Sequence, residues 1–304
     1  MREVITKAAI QRRSYWVDEI RKLSGHFGDD SDRLQKEIVR EVKRLGVPAL
    51  LDHLRLCGAI PESYHHDSSE EKLYSKYTDI LLWSAFNAVG LRSSVSKERA
   101  DTADVEVFAK GYGFVADAKA FRLSRTAKNQ KDFKIQAMDT WKRGKPYAIV
   151  VCPIYQLPAS TSQIYQQASS RNVCIFTYSH LSVLISYASS KGNAKAQGLL
   201  REVFKVVNAL NPTKDATSYW LAINRTMLGH SASIAKFWAI EKKAAVESIE
   251  IAKEEALGYL AKEREAIMRM SHQEALNELV KVRKLEGRER VIKSVADNGI
   301  LALR

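Results

Sequence analysis

The chain has 304 residues, is 45% hydrophobic, and carries 48 Lys and Arg against 35 Asp and Glu, a net charge of +13. That apolar share excludes wholesale disorder, and the length suffices for one large domain or two small ones. The basic excess favours a polyanionic partner, and the lack of any run approaching about 18 uncharged apolar residues predicts neither export nor a membrane span, hence a cytoplasmic protein.

Residues 1–66 read as an N-terminal helical region. Segments 5–23 and 34–45 place apolar side chains at helical spacing with charges between them. After Pro48, residues 49–56 predict a short third helix, ended by Gly58 and Pro61. His65 and His66 fall in a polar link and lack the i,i+4 spacing of a helical zinc pair, so a solvated loop is expected there. Ser68 or Ser69 caps the next helix, which runs to Gly90 with Glu70 and Glu71 in its first turn. The helix dipole favours negative charge at that end, which accounts for Glu71 structurally. A place near a metal is its second reading.

Residues 67–190 read as an α/β core. Candidate strands at 103–109 and 113–121 flank a turn at Lys110, Gly111 and Gly113. A helix over 127–141 follows, ended by Gly144 and Pro146. The short apolar runs 147–152 and 173–177 are typical of central strands, with helices at 161–168 and from Ser179 to residue 188. The order predicts a mixed central sheet flanked by helices. Residues 191–304 read as a helical region, with segments 194–210, 216–229 and 231–270, and a capping box at Ser271 and Glu274 opening another helix. Within this region residues 236–304 carry fourteen Lys and Arg against twelve acids, a near balance that suits solvated helices packed on the core or a dimerisation arm. Cys57, Cys152 and Cys174 form no Cys-x-x-Cys pair and read as buried reduced thiols.

The chemistry concentrates in residues 113–121, GFVADAKAF. On a strand, residues i and i+2 share a face, so Asp117 and Lys119 project side by side. A hairpin brings Asp104, on the preceding strand, close to Asp117. Two carboxylates and a lysine on adjacent strands can hold Mg²⁺ and activate a water against a phosphodiester. The bland alternative is an ion pair at a strand end. Other acid-x-Lys triples, at Glu41, Glu70, Asp132 and Glu241, lie in helical segments, where i and i+2 diverge around the axis. Residues 110–145 also carry ten Lys and Arg against three Asp, which centres the positive field on this strand. No phosphate-binding loop is present, and His26, His53, His180, His230 and His272 are scattered, none sitting with acids in a metal-ligand cluster.

The segment after the strand offers hydrogen-bonding groups for DNA. Asn129 can bond adenine, Lys131 can donate to guanine, and Asp132 can accept from cytosine, with Lys134 facing either base or phosphate. Arg122, Arg125 and Lys128 would serve the DNA backbone. A carboxylate such as Asp132, repelled by phosphates, makes sense facing DNA only if it reads a base or helps a metal.

The run 115–134, VADAKAFRLSRTAKNQKDFK, closely resembles the HindIII-type type II restriction endonucleases. So do residues 71–76, EKLYSK, and the surroundings of Asp104. The likeness is dense from about residue 70 to 150. It implies a PD-(D/E)xK nuclease fold, a homodimer on double-stranded DNA, and Mg²⁺-dependent cleavage of AAGCTT after the first A, leaving 5′-phosphates and 5′ overhangs. It implies one or two Mg²⁺ per subunit, with Mn²⁺ as a substitute, held by Asp104, Asp117 and the Ala118 carbonyl, with Glu71 a further candidate. Lys119 would lie beside the attacking water. A cognate DNA methyltransferase is the implied functional companion. Ala103 stands where the motif's name has Pro, and the second acid is Asp117 rather than Glu; neither change removes a ligand. Two rivals stay open: a repair or junction nuclease on the same fold, and a non-catalytic basic DNA-binding protein.

Overall fold

The computed structural model describes residues 3–96, 102–125 and 130–294, the side chains of Gln130 and Lys131 excepted. The chain divides into two units, Met1–Ala256 and Leu257–Arg304.

The first unit opens with α1 (Lys7–Arg21), α2 (Phe27–Leu45), α3 (Val47–Leu56) and α4 (Ser69–Ala88). Ser68 caps α4, its hydroxyl accepting from the Glu71 N–H at 3.2 Å. The sheet follows, with β1 (Arg92–Val95), β2 (Val105–Ala109) and β3 (Tyr112–Ala118). Next come α5 (Gln130–Phe133), α6 (Ile135–Trp141), β4 (Tyr147–Cys152), α7 (Gln163–Ser170) and β5 (Val173–Thr177). Helices α8 (Tyr178–Lys191), α9 (Asn193–Ala209), α10 (Ala216–His230) and α11 (Ala232–Met268) complete it, α11 running into the second unit. That unit continues with α12 (His272–Val282) and α13 (Leu285–Ser294).

The five strands lie in sequential order, β1 to β3 antiparallel and β3 to β5 parallel. The result is a mixed α/β sheet with flanking helices, as the pattern of apolar runs predicts. Ala109 pairs with Tyr112, which leaves Lys110 and Gly111 as the hairpin turn, with Gly111 at φ +82°. A side chain with a Cβ rarely adopts that conformation. Every residue from Ala148 to Cys152 and from Val173 to Thr177 is buried, so β4 and β5 are covered on both faces, as continuous apolar strands require. One apolar core runs from Trp16 on α1 through the sheet to Ile234 on α11. Cys57, Cys152 and Cys174 are free and buried. Among the described residues, no helix is long and apolar enough to cross a membrane.

Several elements depart from the sequence pattern. Strand β1 is a short, partly exposed edge with two serines, so no apolar run announces it. Helix α2 begins at Phe27, earlier than its apolar stripe, and the cap of α8 is Thr177 rather than Ser179. The predicted helix 127–141 is broken: Lys134 sits in the left-handed region at φ 47°, between α5 and α6. Phe133 and Ile135 flank it, and both are buried. Two residues apart on an unbroken helix they would point about 200° apart. The break lets both reach the core, where Phe133 packs on Phe121.

Candidate active site

Asp117 sits near the end of β3 and is wholly buried. The pairing of β3 with β4 persists one residue further, the Lys119 N–H donating to the Val151 carbonyl at 2.7 Å. Asp117 and Lys119 therefore share a face, and their side chains form an ion pair. The lysine backbone is held from a second side, its carbonyl accepting from the Tyr178 hydroxyl at 2.9 Å. Beyond it, Phe121 bridges to the segment after α3. Its N–H donates to the Gly58 carbonyl at 3.0 Å, and the Ile60 N–H returns to the Phe121 carbonyl at 3.2 Å.

Asp104 lies immediately before β2, its side chain 32% exposed. A third carboxylate, Asp79, comes from α4 and is buried. With it comes a second ammonium: Lys76 Nζ lies 3.4 Å from Asp79 and 3.8 Å from Asp104. Neither Asp79 nor Lys76 stands out in the sequence. The available signal is an acid at position 79 inside a run, Tyr77 to Leu82, whose other members are all buried. A charge on the apolar side of a helix is costly without a partner.

The charges of this group are strongly coupled. Burial pushes the Asp104 carboxyl up to about 9, reinforced by repulsion from Asp79 and Asp117. Burial pushes Asp79 up to about 7 against the pull of Lys76. Burial works in the same direction on Asp117, but the adjacent Lys119 ammonium overcomes it and holds this carboxyl below the usual range. Lys119 loses hydration by burial, yet Asp117 stabilises its charge enough to raise its pKa above the ordinary lysine value. A cluster of acids that takes up protons is short of positive charge. Despite the ion pair, neither Asp117 oxygen has a hydrogen bond of acceptable geometry. A buried carboxylate that interacts with two further carboxylates fits a hard divalent cation, which takes oxygen ligands.

The remaining sequence candidates divide. Ala118 is the last residue of β3, between Asp117 and Lys119. Glu71 is drawn into a different group. It accepts from the Asp67 N–H at 2.6 Å, lies 3.4 Å from Arg122, and has donor atoms within 4.8 Å of those of His66 and Asp67. His66 and Asp67 are exposed, and the Glu71 carboxylate already accepts from the Asp67 N–H and faces Arg122. Arg122 is tied inward, donating to the Tyr64 carbonyl at 2.7 Å. Arg125 pairs with Asp132, whose side chain is only 5% exposed. Lys134 lies over the Trp141 ring at 5.6 Å. Lys128 and Asn129 lie outside the described residues, as does the Lys131 side chain.

Residues 13–296 match the family of the HindIII restriction endonuclease. Type II restriction enzyme HindIII from Haemophilus influenzae is 41% identical over 150 residues, covering 49% of this chain. The match spans 50% of that protein's own length.

Proposed function

The chain belongs to the HindIII restriction endonuclease family, and from this premise we propose that it is a type II restriction endonuclease. It cuts both strands of duplex DNA at AAGCTT after the first A, leaving 5′-phosphate ends and 5′ overhangs. The observation that carries the reading is the gathering of Asp79, Asp104, wholly buried Asp117 and Lys119 about the end of β3. A simple ion pair, as in a non-catalytic DNA binder, gives no reason for two further acids there.

Asp104 and Asp117, with Asp79 and the Ala118 carbonyl, would hold one or two Mg²⁺, for which Mn²⁺ substitutes. Bound there, the ion supplies Lewis-acid stabilisation of the phosphate oxygens and a water made nucleophilic at neutral pH. The chain's own groups do the rest. Lys119 stays protonated beside Asp117, so it acts as a donor to developing negative charge and not as a base. The β3–β4 pairing and Tyr178 hold its backbone, which keeps the ammonium aimed at one place. Asn129, Lys131 and Asp132 read bases, Lys134 serves base or phosphate, and Arg122, Arg125 and Lys128 serve the DNA backbone. Asp132 and Arg125 must exchange their mutual pairing for DNA, a swap of partners with little net change in ion pairs.

Two copies related by a two-fold axis read the palindrome. Residues 67–190 form the nuclease core, residues 1–66 buttress it, and the helices after residue 190 supply the dimerisation arm. A cognate DNA methyltransferase protects the host's own sites in the cytoplasm where both act.

The test is a digest of a plasmid of known sequence with Mg²⁺ and with EDTA, beside the Asp117→Asn protein. Discrete Mg²⁺-dependent fragments ending at AAGCTT, absent with the variant, are expected, while the variant keeps specific duplex binding in Ca²⁺. Mg²⁺-dependent smearing would discard the site specificity and favour a repair or junction nuclease. Absence of cutting under any divalent metal would leave a non-catalytic DNA binder.

A further inference from the structure

The metal-dependent reading leaves one cation of the site without a role. Lys76 reaches Asp79 on its own helix and Asp104 on the sheet side, at 3.4 and 3.8 Å. An i,i+3 helical pair alone would be ordinary surface decoration, worth a few tenths of a kcal/mol. Lys76 differs in two respects: its first partner, Asp79, is buried, and its second belongs to another element. Its flexible stem lets the ammonium change partners without moving the helix.

We propose that Lys76 is the resident counterion of the acid cluster, competing with the divalent ion for Asp79 and Asp104 and, once displaced, turning to a phosphate of the bound DNA. The inference rests on the nuclease reading above. The charge count supports it. Three ionised carboxylates, Lys119 and one divalent ion make a neutral set. Lys76 is then the surplus positive charge, and a phosphodiester entering the site carries the single negative charge to match it. Without the ion, the two lysines are the only cations of the described residues shown in ion pairs with these acids. Removing the Lys76 charge favours every other cation there, and a divalent ion gains twice what a proton gains. Metal affinity therefore rises even where binding displaces a proton.

The experiment titrates Mn²⁺ calorimetrically into the full-length wild type, Lys76→Met and Lys76→Arg without DNA, with circular dichroism as the check on folding. Lys76→Met is expected to bind Mn²⁺ about tenfold more tightly, with Lys76→Arg close to wild type. In plasmid cleavage, Lys76→Met raises KM for duplex about tenfold with a smaller change in kcat, and Lys76→Arg restores it. A folded Lys76→Met protein with unchanged or weaker Mn²⁺ affinity overturns the competition. Unchanged KM overturns the phosphate contact. Lys76→Gln replaces the methionine variant if that one does not fold. A wild type that takes up no Mn²⁺ and cuts no DNA overturns the metal-dependent nuclease reading itself, a failure distinct from either result on Lys76.

Discussion

Asp117 and Lys119 each make the other's burial tolerable. Both are withdrawn from water, and each charge is the nearest compensation for the other. Breaking such a pair from one side costs more than the pair contributes, because the survivor is left charged and alone. Lys119→Met should therefore lower stability by about 3 kcal/mol in the absence of divalent metal, measured by urea denaturation. The double variant Lys119→Met, Asp117→Asn should recover most of that loss. Equal instability of the single and double variants would show that the lysine acts through packing alone. The juxtaposition of these two residues is legible in the sequence because strand periodicity is local. The pairing of Arg122 with Glu71 and Tyr64 is not, since its partners lie about fifty or more residues away.

Helix α4 matters as a rigid carrier, delivering Lys76 and Asp79 to the acids on the sheet. Its end is set at Gly90, whose φ of +77° no L side chain adopts cheaply. A Cβ there would also come within 2.8 Å of the Asn193 Cγ. Gly90→Ala should cost about 2 kcal/mol, read as a lower denaturation midpoint at unchanged m-value. On α8, His180 is buried as the neutral tautomer: Nε2–H donates to Asn224 Oδ1 at 2.9 Å, and Nδ1 accepts from the Thr177 hydroxyl at 2.6 Å. Burial lowers its pKa from the usual 6.5 to about 4. The unfolded chain therefore binds a proton that the folded one refuses. The stability conferred by the neutral ring is complete above about pH 6.5 and is lost as pH falls towards 4, by on the order of 3 kcal/mol. His180→Gln should flatten that part of the stability-versus-pH curve. A curve of unchanged shape would assign the acid sensitivity to other groups.

The second unit, considered by itself, cannot bury its own apolar side chains. No described residue of α12 or α13 is buried, and Val282, Val291 and Ile292 are each more than 60% exposed. Exposed apolar side chains in this number suit an interaction surface. The proposed dimer gives it an occupant, a second copy of the chain. Substituting Leu279 and Val282 together with lysine should shift the protein from dimer to monomer in sedimentation. It should leave the far-ultraviolet spectrum near wild type. A dimer that persists unchanged at micromolar concentration would place the interface elsewhere.

Features that depend on near neighbours were legible in the amino-acid order. The period-2 alternation put Asp117 beside Lys119, the turn at Lys110 and Gly111 folded β2 back on β3, and uninterrupted apolar runs marked β4 and β5 as central. Ser68 and the Ser271 capping box announced helix starts through bonds that span three residues. Features that emerged on folding depend on groups far apart along the chain. Asp79 and Lys76 became members of the site because α4 packs across the sheet. Arg122 found its partners on Tyr64 and Glu71, and α5 and α6 break at Lys134 so that Phe133 and Ile135 are both buried. The broken helix was illegible for the same reason: local propensity favoured one helix, and long-range burial of two apolar side chains two residues apart outweighed it.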